Sequence, residues 1–149
     1  METNYINGNN CSVNAAGLAI KTGSSADALT ANLVSYFIGQ TKYTLAAQAT
    51  VDTSAATGGG GLTLADDSGC AIIVRVNAAG TVSLQIGAHS GTAVWNDIAI
   101  PEIDFSTYAV VGIIYILNET ASDFTIGTTA LDVAGSTVVY QDTFNAVNY

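Results

Sequence analysis

The sequence is poor in charged residues, and most of those that it has are acidic. Charged residues make up only 10% of the 149 positions, against roughly 25% in an ordinary soluble domain. Three basic and twelve acidic residues leave a formal net charge of −9 at pH 7. Because Lys21, Lys42 and Arg75 lie far apart, the sequence offers no basic patch that could neutralise phosphate groups. We therefore expect no nucleic-acid partner, and the low charged fraction predicts a surface partly covered by other proteins.

Long apolar runs are also missing, which argues against a membrane protein. The longest candidate, residues 108–117 (YAVVGIIYIL), is about half as long as a spanning helix of roughly 20 residues. The N-terminus has neither the basic leader nor the apolar stretch of a secretory signal. We expect no membrane partner and a chain that is made in the cytoplasm.

Residues with catalytic or redox chemistry are scarce. Cys11 and Cys70 are too far apart for a metal-ligand pair and too few for a disulfide framework. Cys70 opens the apolar run CAIIVRV, so we expect it to be a small buried hydrophobe. His89 is the only histidine and lies between glycines in GAHSGTAVW, the pattern of a loop. TGGGGLT lacks the lysine of a phosphate-binding loop. The sequence thus predicts neither an enzyme nor a cofactor.

Acidic loops are the one feature that points toward a metal ion. Asp97, Glu102 and Asp104 lie in NDIAIPEID, while Asp66 and Asp67 lie in ADDSG. Oxygen-rich loops of this kind can bind Ca²⁺. Their spacing fits no EF-hand loop, so we interpret them as solvated carboxylates and predict no metal site.

Short strands joined by turn residues fill most of the sequence. VSYFIGQTKYTL, residues 34–45, predicts a hairpin whose Gly-Gln turn places Tyr36 opposite Tyr43 and Phe37 opposite Lys42 on the other face. AIIVRVNAAGTVSLQI predicts a second hairpin around an Asn-x-x-Gly turn. Its inward-facing residues are Ile72, Val74, Val76, Val82, Leu84 and Ile86. Its outward-facing residues are Arg75, Ser83 and Gln85.

The later segments complete an all-β pattern. Residues 108–117 show no alternation, which favours a strand covered on both faces, and STVVYQ follows the turn DVAG as a final strand. We predict an all-β fold: a single antiparallel β-sandwich domain, residues 17–149, behind an extended N-terminal arm, residues 1–16. Any helix should be short and lie in SADALTAN or near IPEIDF.

Several motifs appear in the same order as in a known group of virion proteins. GLAIKTGSSADALTANLVSYFIGQTKYTLAAQA, IVRVNAAGTVSLQIG, VVGIIYI and DFTIGTTALDVAGSTVVY together resemble the capsid decoration, or cement, proteins of tailed bacteriophages. The resemblance covers most of residues 17–140. The sequence departs from that pattern at Ile126, where a proline often precedes the glycine, and in its long TGGGG loop.

The resemblance implies a jelly-roll-like β-sandwich that forms a homotrimer and has no catalytic chemistry. It implies binding to the major capsid protein on the outer surface of the phage head, where the trimer staples neighbouring subunits. Phe37 and Lys42, on the mixed face of the first hairpin, are the residues that we predict for the contact between subunits. The Asn-rich arm supplies the predicted capsid contacts: Tyr5, Ile6, Asn9 and Asn10.

A second interpretation stays open from the residues alone. An adhesion module of a phage fibre would also be an acidic β-sandwich with exposed aromatic residues. Trp95, together with His89 and Asp97, could then form a platform that binds a host-surface glycan.

Overall fold

The chain forms β-strands almost throughout. The structure, a computed structural model, describes residues 10–23, 25–58 and 61–143. Within these ranges there are eleven strands and two short 3₁₀ turns, Thr53–Ala55 and Trp95–Asp97. The all-β prediction is therefore confirmed, and no helix in the described ranges could cross a membrane. The strands are β1 (Leu18–Ile20), β2 (Ala28–Thr30), β3 (Val34–Ile38), β4 (Thr41–Leu45), β5 (Gln48–Val51), β6 (Thr63–Leu64), β7 (Ser68–Asn77), β8 (Val82–Ile86), β9 (Tyr108–Asn118), β10 (Phe124–Thr125) and β11 (Ser136–Asp142).

One antiparallel sheet of four strands, in the order β11-β9-β7-β8, organises the domain. We call it the main sheet. The smaller sheets are β1-β2-β5, β3-β4 and β6-β10. The larger hydrophobic core joins the inner face of the main sheet to side chains of the smaller sheets, which gives a sandwich-like domain. The main sheet contributes Cys70, Ile72, Val74, Leu84, Ile114 and Ile116, and the smaller sheets contribute Leu18, Ala28, Val34, Tyr36, Leu45, Val51 and Leu64.

The outer face of the main sheet is also covered. Residues 87–107, which we call the cover loop, connect β8 to β9 and pack Ile98 and Ile103 onto this face. A second, smaller core forms there with Ile73, Ile113 and Leu117. Because apolar residues are buried on both faces, β7 and β9 show no alternation in sequence. The prediction of a strand covered on both sides is confirmed.

Turn chemistry sets the registers of both predicted hairpins. In β3–β4, Tyr36 pairs with Tyr43, and their rings stack with centroids 5.5 Å apart. In β7–β8, the carboxamide oxygen of Asn77 accepts hydrogen bonds from two backbone N–H groups of the turn, at 2.9 and 3.0 Å. Gly80 has φ +77°, which glycine adopts without strain. The six residues predicted to face inward all belong to, or pack against, the larger core, as the alternation predicted.

The two segments named as places for a short helix, SADALTAN and IPEIDF, contain no helix themselves. Within SADALTAN, β2 pairs with β1 and β5, and both Ala28 and Thr30 are buried. Near IPEIDF, the chain runs over the main sheet with Ile98 and Ile103 facing the smaller core. In both places, contacts with distant strands outweigh the weak helix preference of the local sequence. The expectation that any helix would be short is confirmed within the described ranges, where one of the two 3₁₀ turns, Trp95–Asp97, lies just before IPEIDF. The placement of a helix within SADALTAN is wrong.

The part of the predicted arm that the structure describes packs on the domain. Residues 11–13 lie along β3, where Val13 N–H donates to the Ser35 carbonyl at 2.7 Å. Phe37 N–H donates to the Cys11 carbonyl at 2.8 Å. These bonds satisfy the backbone groups of β3 on the side away from β4. Residues 10–16 therefore belong structurally to the domain rather than to a free arm.

Candidate interaction surface

The one predicted capsid contact within the described residues is held inside the domain. Asn10 is only 9% exposed. Its carboxamide donates to the Phe105 and Tyr108 carbonyls and accepts from Gly39 N–H at 2.5 Å. The side chain thus ties the β3–β4 turn to the start of β9. Tyr5, Ile6 and Asn9 lie outside the described residues.

The two predicted subunit-contact residues face each other across the first hairpin. Phe37 pairs with Lys42, as the hairpin register required. Lys42 is exposed, whereas Phe37 is half-buried and its backbone is bonded to the segment at Cys11. Some of the Phe37 side chain is therefore covered within the chain itself.

Among the described residues, the largest group of exposed apolar side chains lies on the cover loop, where the sequence pattern had singled out only Trp95 of the apolar residues. Four large side chains project from it: Val94 (49% exposed), Trp95 (43%), Ile100 (50%) and Phe105 (41%). The same loop carries three exposed carboxylates and no lysine or arginine. The sequence feature that could have revealed this surface is its composition, since AVWNDIAIPEIDF mixes large apolar residues with acidic ones. Exposed apolar residues gathered on one loop are typical of an interaction site.

Local hydrogen bonds fix the path of the cover loop. Gly87 N–H donates to the Ala71 carbonyl at 2.9 Å. A Cβ at Gly87 would lie 2.3 Å from the Ala99 carbonyl oxygen, so only glycine fits where the loop crosses itself. Asp97 accepts a 2.6 Å hydrogen bond from the Thr92 hydroxyl. The loop is thus an ordered surface on a rigid sheet, which reduces the conformational entropy lost on binding.

At the far end of the loop, hydrogen bonds hold an exposed carboxylate in its charged form. The side chain of Asp104 accepts from the Ser106 hydroxyl at 2.5 Å and from the Ser106 N–H at 3.0 Å. Bonds from Ser106 and then Thr107 lower the pKa of Asp104 below its ordinary value. The loop therefore presents negative charge beside its apolar side chains.

A small pocket opens where the cover loop meets β11. It has a volume of about 320 Å³ and is lined by Trp95, Tyr115 and Val139. The two aromatic rings meet edge to face, with centroids 6.2 Å apart. Burial raises the pKa of the Tyr115 hydroxyl. Of the residues considered for a glycan platform, Trp95 lines this pocket, whereas His89 and Asp97 do not.

Arg75 is held by uncharged groups on the outer face of the main sheet. Its Nε donates to the Ser83 hydroxyl at 3.2 Å, and one Nη donates to the Gln85 side-chain oxygen. The guanidinium carbon lies 4.0 Å from the centre of the Tyr108 ring, within cation–π distance. The prediction that Arg75, Ser83 and Gln85 share a face is confirmed.

The remaining candidate residues are the cysteine, histidine and acidic side chains. Within the described ranges, no three His, Cys, Asp or Glu side chains lie close enough together to hold a metal ion. Cys70 is fully buried, and burial raises the pKa of its thiol to about 12, as expected of a small hydrophobe. His89 is exposed in the cover loop.

Comparison with known proteins gives no family for this chain. No family model, curated protein or solved structure matches it.

Proposed function

We propose that this protein is a structural component of a tailed-phage virion that binds the outer surface of the head and cements neighbouring major capsid subunits. The observation that carries the proposal is the cover loop, residues 87–107, an ordered loop that exposes four large apolar side chains. The order of motifs that resembles phage decoration proteins adds the identity of the partner.

The exposed part of the cover loop has the composition of a protein-binding surface. Burying a large apolar side chain contributes about 1.5–3 kcal/mol, and Val94, Trp95, Ile100 and Phe105 are each close to half exposed. Covering the four would therefore contribute roughly 3–6 kcal/mol before the costs of association. A single contact of this size is modest. A trimer, as the resemblance implies, would bind through three such contacts and gain affinity by multivalency.

Charge supports a position outside the shell. The net charge of −9 would be repelled by packaged DNA. The cover loop adds carboxylates at Asp97, Glu102 and Asp104 beside its apolar residues. The partner surface that fits best is an apolar patch bordered by lysine or arginine.

The copy number in purified virions tests the proposal directly. Shell decoration requires hundreds of copies per particle, arranged on a symmetry axis of the head in an electron cryomicroscopy map. A few dozen copies or fewer, at a fibre or vertex, would contradict decoration.

A matched pair of variants tests the role of the cover loop. Ile100 and Leu33 are exposed by 50% and 57% and lie in different parts of the domain. We expect Ile100→Glu to weaken binding to undecorated heads, because it places a charge where apolar contact is needed, and Leu33→Glu to leave binding unchanged. Equal binding by both variants would remove the cover loop from the interface.

The terminal segment needs a separate test because Tyr5, Ile6 and Asn9 lie outside the described residues. Deleting residues 1–9 keeps Asn10 and the pairing of residues 11–13 with β3. If these residues contact the capsid, the shortened protein keeps its oligomeric mass in light scattering and binds heads more weakly. Unchanged saturation of heads would contradict the predicted contact.

A glycan-binding module remains the second candidate, and the pocket of Trp95, Tyr115 and Val139 favours it. Aromatic rings at an open pocket suit the apolar face of a sugar. Titration calorimetry with galactose, glucose and N-acetylglucosamine would detect such binding. Binding that Trp95→Ala abolishes, combined with a low copy number in virions, would favour this candidate over shell decoration.

A further inference from the structure

The two edges of the main sheet differ in how their backbone groups are satisfied. At the β8 edge, Thr57 N–H donates to the Leu84 carbonyl at 2.9 Å, and Ile86 N–H donates to the Thr57 carbonyl at 3.1 Å. At the β11 edge, the carboxylate of Asp142 accepts from two N–H groups of the β1 region at 3.0 and 3.1 Å. This carboxylate covers only the C-terminal end of β11, so the rest of the edge is open among the described residues.

The pairing of β11 with β9 identifies which backbone groups face the open side. Thr143 N–H donates to the Val111 carbonyl at 3.3 Å, and Glu119 N–H donates to the Gly135 carbonyl at 3.0 Å. Residues of an antiparallel strand bond alternately to one side and the other. The odd-numbered residues of β11 therefore bond to β9. Those that direct their N–H and C=O groups away from it include Val138 and Tyr140, and in the described ranges no backbone group meets them there.

The open part of β11 lacks the features that usually protect an edge strand. Residues 136–141 (STVVYQ) contain no charged residue and no proline, and their pairing with β9 has no bulge. In a chain of net charge −9, this uncharged stretch lets two copies approach without bringing carboxylates directly together. Its outward side chain Val139 is 43% exposed beside the pocket lined by Trp95 and Tyr115.

We infer that β11 is a self-association edge, at which a second copy of this chain adds its own β11 in antiparallel orientation about a two-fold axis at Val139. In this register Val138 of each copy exchanges hydrogen bonds with Tyr140 of the other. The two Val139 side chains meet at the axis, and the two main sheets become one sheet of eight strands. Because both copies use the same edge about a two-fold axis, this contact closes on itself as a dimer.

The contact does not depend on the proposed binding to a phage head, although Val139 lines a pocket with Trp95 of the cover loop. It also differs from the predicted trimer contact at Phe37 and Lys42, which lies on the β3–β4 hairpin. One strand and a single pocket bury less than the roughly 1,200 Å² of stable specific interfaces. The association is therefore weak and depends on protein concentration.

Cysteine cross-linking tests the register. In a background of Cys11→Ser, with Cys70 fully buried, Val139→Cys places two thiols opposite each other at the axis, with Cβ atoms about 5 Å apart. A thiol introduced by Gln141→Cys lies too far from the same position in the second chain, and so does a thiol introduced by Thr137→Cys. Positions 137 and 141 of different chains lie opposite each other, so a thiol at one can reach a thiol at the other. We expect Val139→Cys to form disulfide dimers by itself. The other two variants should form them only when mixed.

Leu33→Cys is the control for random collisions, since Leu33 is exposed in the β2–β3 connection. We expect Val139→Cys to cross-link at least about tenfold faster, because pairing raises the effective concentration of the thiols. Equal rates, or no cross-linking of Val139→Cys, would overturn the inference. If another segment of the same chain covers the edge, Val139→Cys will not cross-link.

Sedimentation equilibrium of the unmodified full chain gives an independent measurement. The average mass should rise with concentration, and Val139→Lys should abolish the rise because it places two ammonium groups together at the axis. Leu33→Lys, the matched control, should leave it unchanged. A rise that Val139→Lys does not alter would assign self-association to another surface and overturn the inference.

Discussion

Asn118 at the end of β9 is a buried polar junction whose loss should be measurable. It is 1% exposed, and its amide nitrogen donates to the carbonyls of Leu64, Ala65 and Ser122 at 2.9–3.0 Å. The side-chain oxygen accepts from the Ser136 hydroxyl at 3.3 Å. The residue thereby joins β6, β9, β11 and the turn that follows β9. Asn118→Asp keeps the shape of the side chain and replaces the donating amide with a second acceptor.

The expected cost follows from the hydrogen bonds that this replacement removes. Each buried carbonyl left without its donor costs about 1–3 kcal/mol. Two N–H donors are lost, so the free energy of unfolding should fall by roughly 4 kcal/mol at neutral pH, a large part of the 5–15 kcal/mol of a typical domain. Burial beside carbonyl oxygens disfavours the charged carboxylate, so the pKa of the introduced Asp should be raised in the folded state.

The sign of the pH dependence follows from that raised pKa. Below about pH 4, the carboxyl is protonated in both states and can donate one hydrogen bond, so the loss is smallest. As the pH rises, the unfolded chain releases its proton first, and the loss grows until the folded-state pKa is passed. Asn118→Asp should therefore be markedly less destabilising in acid than at neutral pH.

Urea unfolding at about pH 4 and about pH 7 measures both the loss in the free energy of unfolding and its dependence on pH. Asn96→Asp is the control because Asn96 is exposed in the Trp95–Asp97 turn and the charge change is the same. Subtracting the control removes the effect of the net charge. A loss below about 1 kcal/mol at neutral pH, or the same loss at both pH values, would refute the account of Asn118 as a buried donor.

Three further predictions concern a glycine with positive φ, a buried tyrosine hydroxyl and an isoleucine of the core. In urea unfolding, Gly127→Ala should lower the free energy of unfolding more than Gly39→Ala does. Both glycines have positive φ, but only a Cβ at Gly127 would lie 2.5 Å from Ser54. Equal losses would contradict the steric argument. Burial raises the pKa of the Tyr140 hydroxyl to about 12, and this buried group has no hydrogen-bond partner among the described residues. Tyr140→Phe should therefore leave neutral-pH stability unchanged or raise it by up to about 1 kcal/mol. It should also reduce the stability loss that begins near pH 10, where unfolded tyrosine ionises first. Urea unfolding at neutral and alkaline pH checks both expectations. Ile114→Asp should abolish soluble expression, since Ile114 is fully buried. The control Ile114→Val should lower the free energy of unfolding by only about 1 kcal/mol. A soluble Ile114→Asp variant that unfolds cooperatively would place Ile114 outside the core.

The candidate surfaces were harder to predict than the fold. Alternation in the first hairpin correctly placed Phe37 opposite Lys42, because turn length alone sets that register. It could not reveal that the backbone at Cys11 lies along Phe37. Asn10 looked like a free amide in a polar arm, yet its partners include Phe105, which is 95 residues away. A side chain's partner at that separation depends on how the whole chain folds.

Local sequence determined the strands and turns of this protein, because their causes act over a few residues. Gly39, Asn77 and Gly80 fixed the two hairpins, and the continuous apolar run of β9 identified a strand buried on both faces. Tertiary structure alone decided that SADALTAN contains a strand and that the cover loop presents its apolar residues to solvent. It also decided that Val139 lines a pocket together with Trp95 and Tyr115. Exposure is a property of contacts between distant segments, and the same alternation of apolar and acidic residues is compatible with either a buried or an exposed loop until the sheet beneath it has formed.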